Sequence, residues 1–274
     1  MSALDRPRPR TLILIPAYDE AATIGDVVSR VRRVAPGVAV LVVDDGSRDR
    51  TAALARNAGA MVVRHPFNLG HGAALQTGYR FARERDFGFV IQLDADGQHE
   101  PRDITVIAKA LTDGGCDIVL GSRFLGGAAY PISLVRRTTI RFFAALVRAL
   151  TGWRITDPTS GFQGLSRAAF AFHCADHFPA DFPDADVIVM AERAGLRLRE
   201  VPVRMYAPRP GRSMHPGWIK LYYVFKQLVS LGMVVLATGI RRRGDGSAWT
   251  GVAPTARSWA SESSGARASS SRRS

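Results

Sequence analysis

From Thr11 to Leu120, short unbroken apolar runs alternate with stretches in which apolar residues recur every three or four positions. Thr11 to Ile15 (T-L-I-L-I) reads as a strand buried on both faces, since both of its alternating sets are apolar. Pro16-Ala17-Tyr18-Asp19-Glu20 breaks it. Ile24, Val27, Val28, Val31 and Val34 then repeat at helical spacing until Pro36-Gly37 stops the helix. Val38 to Val43 predicts a second buried strand, closed by Asp44-Asp45-Gly46-Ser47 and followed by a helix over 49–58. Ala60 to Val63 predicts a short third strand, and Asn68-Leu69-Gly70-His71-Gly72 a Gly-rich turn into a helix from Ala73 to about Arg85. Phe89 to Leu93 is the next apolar strand, followed by a helix from Pro101 to about Leu111 and a strand over Asp117 to Leu120. Strands alternating with helices predict right-handed βαβ units and a largely parallel, Rossmann-like α/β sheet flanked by helices.

After Gly121-Ser122-Arg123 the rhythm changes. A flexible loop is expected from Gly126-Gly127 to Pro131, then a helix over Leu134 to Leu150 that mixes apolar residues with arginines. Arg137, Arg141 and Arg148 fall within about 40° of one another on its surface, a basic stripe that suits either a solvated face or a helix lying near phosphate head groups. Asp157-Pro158-Thr159-Ser160-Gly161-Phe162 predicts a compact turn before a short strand, then a helix over Ala185 to Ala194 and a strand over Arg199 to Val203. A basic loop follows, from Arg209 to Ser213. Trp218 to Ile240 is apolar and helical in pattern, but its uncharged part, Gln227 to Ile240, is shorter than the ~20 residues of a spanning helix. Residues 244–274 are Ser, Arg, Ala and Gly with little apolar content and predict disorder.

Composition narrows this picture modestly. With 274 residues and 46% apolar content, the chain can build one large α/β domain with an extension. Cys116 and Cys174 form neither a disulfide framework nor a metal spacing, which suits a reduced, cytosolic setting. Met1 to Arg10 has Arg and Pro but no apolar run, unlike a signal peptide. Net charge is +13; the segment from Arg241 onward carries seven Arg against Asp245 and Glu262, which leaves +8 on residues 1–240. Such charge suits nucleic acid, anionic lipid or phosphorylated substrates. The tail has no interleaved aromatics beyond Trp249 and Trp259 and no nucleic-acid-binding motif, so a nucleic-acid partner is not expected.

The candidate chemistry centres on Asp94 and Asp96, directly after the Phe89–Leu93 run. Side chains two apart on an extended chain point the same way, so both carboxylates can reach one cation. Gly97 permits the turn and Gln98 can add a neutral oxygen. Hard cations such as Mg²⁺ take oxygen ligands and share them with substrate phosphates. The alternative is a pair of turn residues capping a helix, which Glu100-Pro101 would begin. Position at the carboxyl end of a strand favours a ligand site.

Six motifs in order resemble family 2 glycosyltransferases, specifically the dolichyl- or polyprenyl-phosphate sugar (mannose-type) synthase group. They are Pro16-Ala17-Tyr18-Asp19-Glu20, Val43-Asp44-Asp45-Gly46-Ser47, Asn68-Leu69-Gly70, Asp94-Ala95-Asp96-Gly97-Gln98, Gly121-Ser122-Arg123 and Asp157 to Phe162. The resemblance covers about residues 10–215. It implies a GT-A domain over 11–215 after an N-terminal tail; the residue pattern adds an interfacial helix at about 134–150 and an apolar membrane-associated helix over 216–243. It also implies a GDP- or UDP-sugar donor, Mg²⁺ or Mn²⁺, inversion at the anomeric carbon and a polyprenyl phosphate acceptor. By matching position, Pro16, Ala17, Tyr18 and Glu20 line the nucleobase and ribose pocket, Val43 and Asp45 close it, Gln76 faces the nucleotide, and Ala95 lies within the metal motif. Asp94 and Asp96, with Gln98, hold the metal; Arg123 and Arg209 act on the diphosphate; Arg136, Arg137, Arg212 and Ser213 receive the acceptor phosphate. For Asp45 the alternative is a helix cap, and for each Arg a structural salt bridge. Met214 stands where the family often has Lys, and the Gln-x-x-Arg-Trp of processive synthases is absent.

A hydroxyl acceptor needs a general base. A lipid monophosphate, with its second pKa near ~6, is already mostly dianionic at pH 7. His65, His71 and His99 read as loop histidines, and Asp157 is the one base candidate, or else it orients the sugar or an Arg. The absence of an obvious base agrees with a phosphate acceptor; the alternative is transfer to a sugar or protein hydroxyl. The expected place of work is the cytoplasmic face of a membrane with an anionic surface, held peripherally, with a spanning Trp218–Ile240 and a small membrane-protein partner left open.

Overall fold

The computed structural model describes residues 10–126, 132–181, 183–207 and 217–242. The strands are β1 (Thr11–Ala17), β2 (Ala39–Asp44), β3 (Met61–Arg64), β4 (Phe89–Gln92), β5 (Ile118–Ser122), β6 (Gln163–Ser166) and β7 (Leu198–Pro202). They form one sheet in the order β3-β2-β1-β4-β6-β5-β7. The helices are α1 (Ile24–Val34), α2 (Thr51–Asn57), α3 (His71–Glu84), α4 (Ile104–Thr112), α5 (Leu134–Thr151), α6 (Arg167–His173), α7 (Ala185–Arg193) and α8 (Gly217–Arg242).

The central strands are apolar on both faces because helices cover both faces. Ile13, Ile15, Val40, Val42 and Ile91 pack with Ile24, Val27, Val28 and Val31 of α1 and Ile104 and Ile107 of α4. Leu12, Leu14, Leu41, Val43 and Val90 pack on the other side with Leu75 and Tyr79 of α3 and Phe170 of α6. The helix α3 comes unusually close: a Cβ at Gly78 would stand 2.2 Å from Leu14 Cδ1, so glycine sets that spacing. A third cluster joins β5 to the later helices through Leu120, Phe143, Val147, Ile155, Ile188 and Leu231.

The sequence pattern predicts a largely parallel sheet, and the one departure positions the site. β6 pairs antiparallel with both β4 and β5. The chain reaches it from the carboxyl ends of those strands and runs back down between them. The Asp157–Phe162 turn is therefore delivered to the same end of the sheet as Asp94. The short helix α6 escapes the sequence reading; Ser166 caps it by accepting the Ala169 N–H at 3.3 Å. The helix α8 extends slightly beyond the expected 218–240. Gln227 and Leu231 are buried, while Phe225, Leu228, Val229, Met233 and Leu236 are exposed. No helix is long and apolar enough to cross a membrane among the described residues. The expectations for 1–9, 127–131, 208–216 and 243–274 fall outside the described residues.

His173, at the end of α6, is buried among aromatic rings, with Phe178, Tyr79 and Phe172 at 5.1, 5.5 and 5.8 Å. Neither ring nitrogen has a hydrogen-bond partner among the described residues. An unpaired buried polar group costs ~1–3 kcal/mol. Burial, with a contribution from His177, lowers its pKa from 6.5 to about 3. The folded pKa lies below the unfolded one, so the neutral ring's contribution is full above about 6.5 and is lost as pH falls toward about 3. The loss runs at up to ~1.4 kcal/mol per pH unit. His173→Phe keeps an aromatic ring at this position and removes both nitrogens. We expect it to raise stability at pH 7.5, with the gap over wild type widening at pH 6 and pH 5 in urea unfolding; parallel curves would refute this account of His173.

Candidate active site

The chain leaves β4 beneath two carboxylates. Asp94 accepts a hydrogen bond at 2.9 Å from Nε2 of His99, whose side chain is fully buried. The imidazole packs against Phe162, with ring centroids 4.9 Å apart, and the His99 backbone is fixed by an antiparallel bridge to Met205. Across the site, Asp94 lies against Gly161; a Cβ there would stand 2.7 Å from both carboxylate oxygens. Glycine in the Asp157–Phe162 turn thus makes room for Asp94. Burial alone would raise the Asp94 carboxyl, but the hydrogen bond from His99 and the charges of His99, His71 and Arg123 hold it down at about 2.

Asp96 behaves in the opposite way. Burial first, and then the charge of Asp94, push its carboxyl up, against hydrogen bonds from Gln98. It accepts the Gln98 N–H at 2.9 Å and the Gln98 side-chain amide. One carboxylate is locked in its ionised form and raises its neighbour. A hard divalent cation relieves that repulsion, and the donor set suits it: two carboxylate groups with an adjacent amide. Among the described residues no group of three His, Cys, Asp or Glu gathers to hold a metal. A cation held by Asp94 and Asp96 alone would have coordination positions left for phosphate oxygens and water.

The carboxyl ends of β1 and β2 lie at the same edge of the sheet as that of β4. Pro16 and Ala17 pair with Val43 and Asp44. Tyr18, next in sequence, is exposed. Asp19 adopts φ +53°, fixed by its N–H on Ser47 Oγ at 2.9 Å and by its carboxylate accepting the Arg48 N–H at 2.7 Å. Glu20 is buried and accepts the Thr23 hydroxyl at 2.6 Å, while its N–H donates to Thr51 Oγ1 at 2.8 Å. The side chains of Val43 and Ala95 lie in the core, so only their backbone can border a pocket.

Three expected residues are engaged differently from the sequence reading. Asp45 neither caps α2 nor opens to a pocket: it is 3% exposed and accepts from His65 Nδ1 at 2.7 Å and from the N–H groups of Leu69 and Gly70 at 2.9 Å each. It anchors the Gly-rich turn, and His65 continues to Thr77 Oγ1 at 2.9 Å. Gln76, expected to face the nucleotide, donates its amide to the carbonyls of Ala175 at 2.8 Å and His173 at 3.3 Å. Arg123, expected to act on the diphosphate, is 3% exposed, and its Nε donates to fully buried Asp157 at 2.5 Å. The salt-bridge alternative describes its geometry.

Arg136 and Arg137 are exposed on the first turn of α5, which Ser133 caps by accepting the Arg136 N–H at 3.3 Å. Arg209, Arg212 and Ser213 lie outside the described residues. Sequence reasoning set aside His65 and His99, yet each clamps a motif carboxylate. For His99 the available signal is its place directly after Asp94-Ala95-Asp96-Gly97-Gln98. For His65, twenty residues from Asp45, there is none.

Known proteins resemble this chain in sequence and fold. Polyprenol monophosphomannose synthase of Mycolicibacterium smegmatis is 34% identical over 169 residues, 59% of this chain and 63% of that protein. Undecaprenyl-phosphate mannosyltransferase of Micrococcus luteus is 29% identical over 226 residues, 77% of this chain and 89% of its own. Glucosyl-3-phosphoglycerate synthase from Mycobacterium tuberculosis, solved with Mn²⁺, UDP and glucosyl-3-phosphoglycerate, superposes with a TM-score of 0.61. At 20% identity over 84% of this chain and 80% of that one, it shows the fold alone. The family described as glycosyl transferase family 2 matches residues 12–172, from β1 to α6. This chain belongs to that family, and it is a nucleotide-sugar-dependent glycosyltransferase with a GT-A fold.

Proposed function

We propose that the protein is a metal-dependent, inverting transferase that moves a sugar from a GDP- or UDP-sugar to a polyprenyl, dolichyl-type monophosphate at a membrane surface. The observation that carries this reading is the state of Asp157. The one candidate base is fully buried and neutralised by Arg123. A hydroxyl acceptor needs a base to take its proton, whereas a phosphate dianion attacks without one. The mannosyl-phosphate-lipid relatives point to the same acceptor class.

Asp94 and Asp96, with Gln98, would hold Mg²⁺ or Mn²⁺, which supplies positive charge to the departing nucleoside diphosphate. Pro16, Ala17, Tyr18 and Glu20 line the donor's base and ribose, and Asp45 serves that pocket by fixing the Asn68-Leu69-Gly70 turn. Asp157 seats Arg123, and the charge of Arg123 bears on Asp94. Arg136 and Arg137, with Arg209, Arg212 and Ser213, receive the acceptor phosphate.

Two exposed faces support peripheral attachment. Leu134, Val135 and Phe142 are exposed on α5, and Phe225, Leu228, Val229, Met233 and Leu236 on α8. Arg136, Arg137, Arg141 and Arg148 of α5 and the following Arg154 are exposed and form no ion pair among the described residues. Arg148 and Arg154 rim a shallow groove of about 570 Å³ floored by Ala144, Ala145 and Ala149. Each such cation near an anionic leaflet contributes roughly 1 kcal/mol.

The test is a donor screen with Mg²⁺ or Mn²⁺, polyprenyl phosphate, a hydroxyl acceptor and each common UDP-, GDP- and dTDP-sugar. A lipid-phosphate-linked sugar is the expected product; transfer to the hydroxyl acceptor alone would overturn the reading. Asp96→Asn should reduce turnover at least about 100-fold. Its melting temperature should hold or rise, since one of two repelling carboxylates is gone, and excess EDTA should abolish wild-type turnover. Arginines divide by burial. Arg123→Ala strands the Asp157 charge and should cost about 3–5 kcal/mol of stability. Arg137→Ala should leave stability within about 0.5 kcal/mol yet lower turnover with the lipid acceptor. Urea unfolding beside single-turnover kinetics reads both, and equal stability of the two variants would contradict the assignment.

A further inference from the structure

β7 is the outer strand of the sheet and pairs with β5, with Leu120 opposite Glu200 and Ser122 opposite Pro202. A charged residue on an edge strand ordinarily faces water and discourages pairing with another chain. Glu200 instead reaches to the segment leading into the Asp157–Phe162 turn. Its Oε1 accepts the N–H groups of Thr156 at 2.9 Å and Asp157 at 3.0 Å. Its Oε2 also takes the Thr156 N–H at 2.9 Å, and both oxygens lie within 3.2 Å of the Thr156 hydroxyl. That hydroxyl is 2.6 Å from Ser122 Oγ, which accepts the Phe124 N–H at 3.2 Å. One carboxylate thus gathers two consecutive backbone donors that belong to no helix or strand.

The segment so held carries the interior of the site. Asp157 presents its carboxylate to the Arg123 N–H and Nε and to the Thr159 hydroxyl. Four residues on, Gly161 lies against Asp94. Arg123 is among the charges that keep Asp94 ionised. The carboxylate of Glu200 sits near that of Asp157, and burial with that neighbouring charge pushes the Glu200 carboxyl up while the hydrogen bonds from Asp157 and Thr156 pull it down. Two acidic groups are brought together here at an electrostatic cost, for which the gain is a fixed loop.

We propose that Glu200 is a positioning residue for the transfer reaction: it holds the backbone of Thr156 and Asp157 so that Asp157 seats Arg123 and the turn seats Gly161 against Asp94. This rests on the reading of Asp94, Asp96, Arg123 and Asp157 as the transfer site, but not on which acceptor is used. Glu200 touches no reacting atom and acts through the loop. A glutamine can reproduce the Oε1 contacts, the ones that hold both N–H groups, whereas alanine leaves both unpaired.

The experiment compares Glu200→Ala and Glu200→Gln with wild type in the full chain. It reads kcat and KM on whichever acceptor the donor screen identifies, nucleotide affinity by calorimetry, thermal unfolding, and hydrogen exchange of peptides covering 155–161. For Glu200→Ala we expect kcat per folded molecule to fall about 10–100-fold, the usual effect of losing a group that orients a site. Nucleotide affinity should be retained and exchange should accelerate locally in 155–161. Glu200→Gln should restore most of kcat together with the local protection. The proposal is overturned if kcat per folded molecule is unchanged in the alanine variant, if nucleotide affinity falls as far as kcat, or if exchange rises uniformly over the chain. It is also overturned if glutamine restores protection of 155–161 without restoring kcat. A wild-type enzyme that turns over a hydroxyl acceptor alone would sink the lipid-phosphate reading and leave the Glu200 comparison to be read on that acceptor.

Discussion

Negative charge crowded at the end of β4 is the constraint around which the site is built. Asp94 and Asp96 stand one residue apart where burial already penalises ionisation. The surroundings do not relieve both. His99 donates to Asp94 and holds it charged, and Asp96 is pushed toward its neutral form. The result is a deficit of positive charge, which a divalent cation would correct while keeping coordination positions for a donor's phosphates. A buried lysine between the two aspartates would satisfy them permanently and leave nothing for substrate to do.

Much of the fold serves to keep that deficit in place. The antiparallel β6 wedges between β4 and β5 and brings Gly161 and Phe162 to the site; Phe162 backs His99, and Gly161 backs Asp94. Asp157 takes up the charge of Arg123 before the arginine can reach the carboxylates directly. Just past β2 and β3, Asp45 and His65 spend a full carboxylate on holding the Gly-rich turn. In each case one charged group is consumed internally so that a neighbouring backbone or carboxylate is fixed.

The sequence was most informative where burial is two-sided. β1, β2 and β4 are continuous apolar runs because helices cover both faces, and runs of that kind are visible without knowing what lies across from them. β6 is four residues, Q-G-L-S, and its place between β4 and β5 depends on partners more than forty positions away, so neither its direction nor α6 after it was legible. The same limit divides the site. Asp94 and Asp96 were legible because their chemistry lies in their spacing. Arg123 reads as a cation for the diphosphate because nothing nearby in sequence shows Asp157, 34 residues on, pairing with it. Gln76 and Asp45 were read by position in a motif, and the structure places both on backbone groups of other segments. Residues whose work is to hold another segment are invisible until the segments meet.

The central claim is that Asp94 and Asp96 form an incomplete cation site finished by the donor's phosphates. Titration of Mn²⁺ followed by electron paramagnetic resonance, with and without UDP or GDP, addresses it without any assumption about acceptor. The account predicts weak Mn²⁺ binding to the protein alone, marked tightening when the nucleoside diphosphate is present, and loss of both in Asp96→Asn. Tight Mn²⁺ binding that is indifferent to nucleotide, or that survives Asp96→Asn, would contradict it.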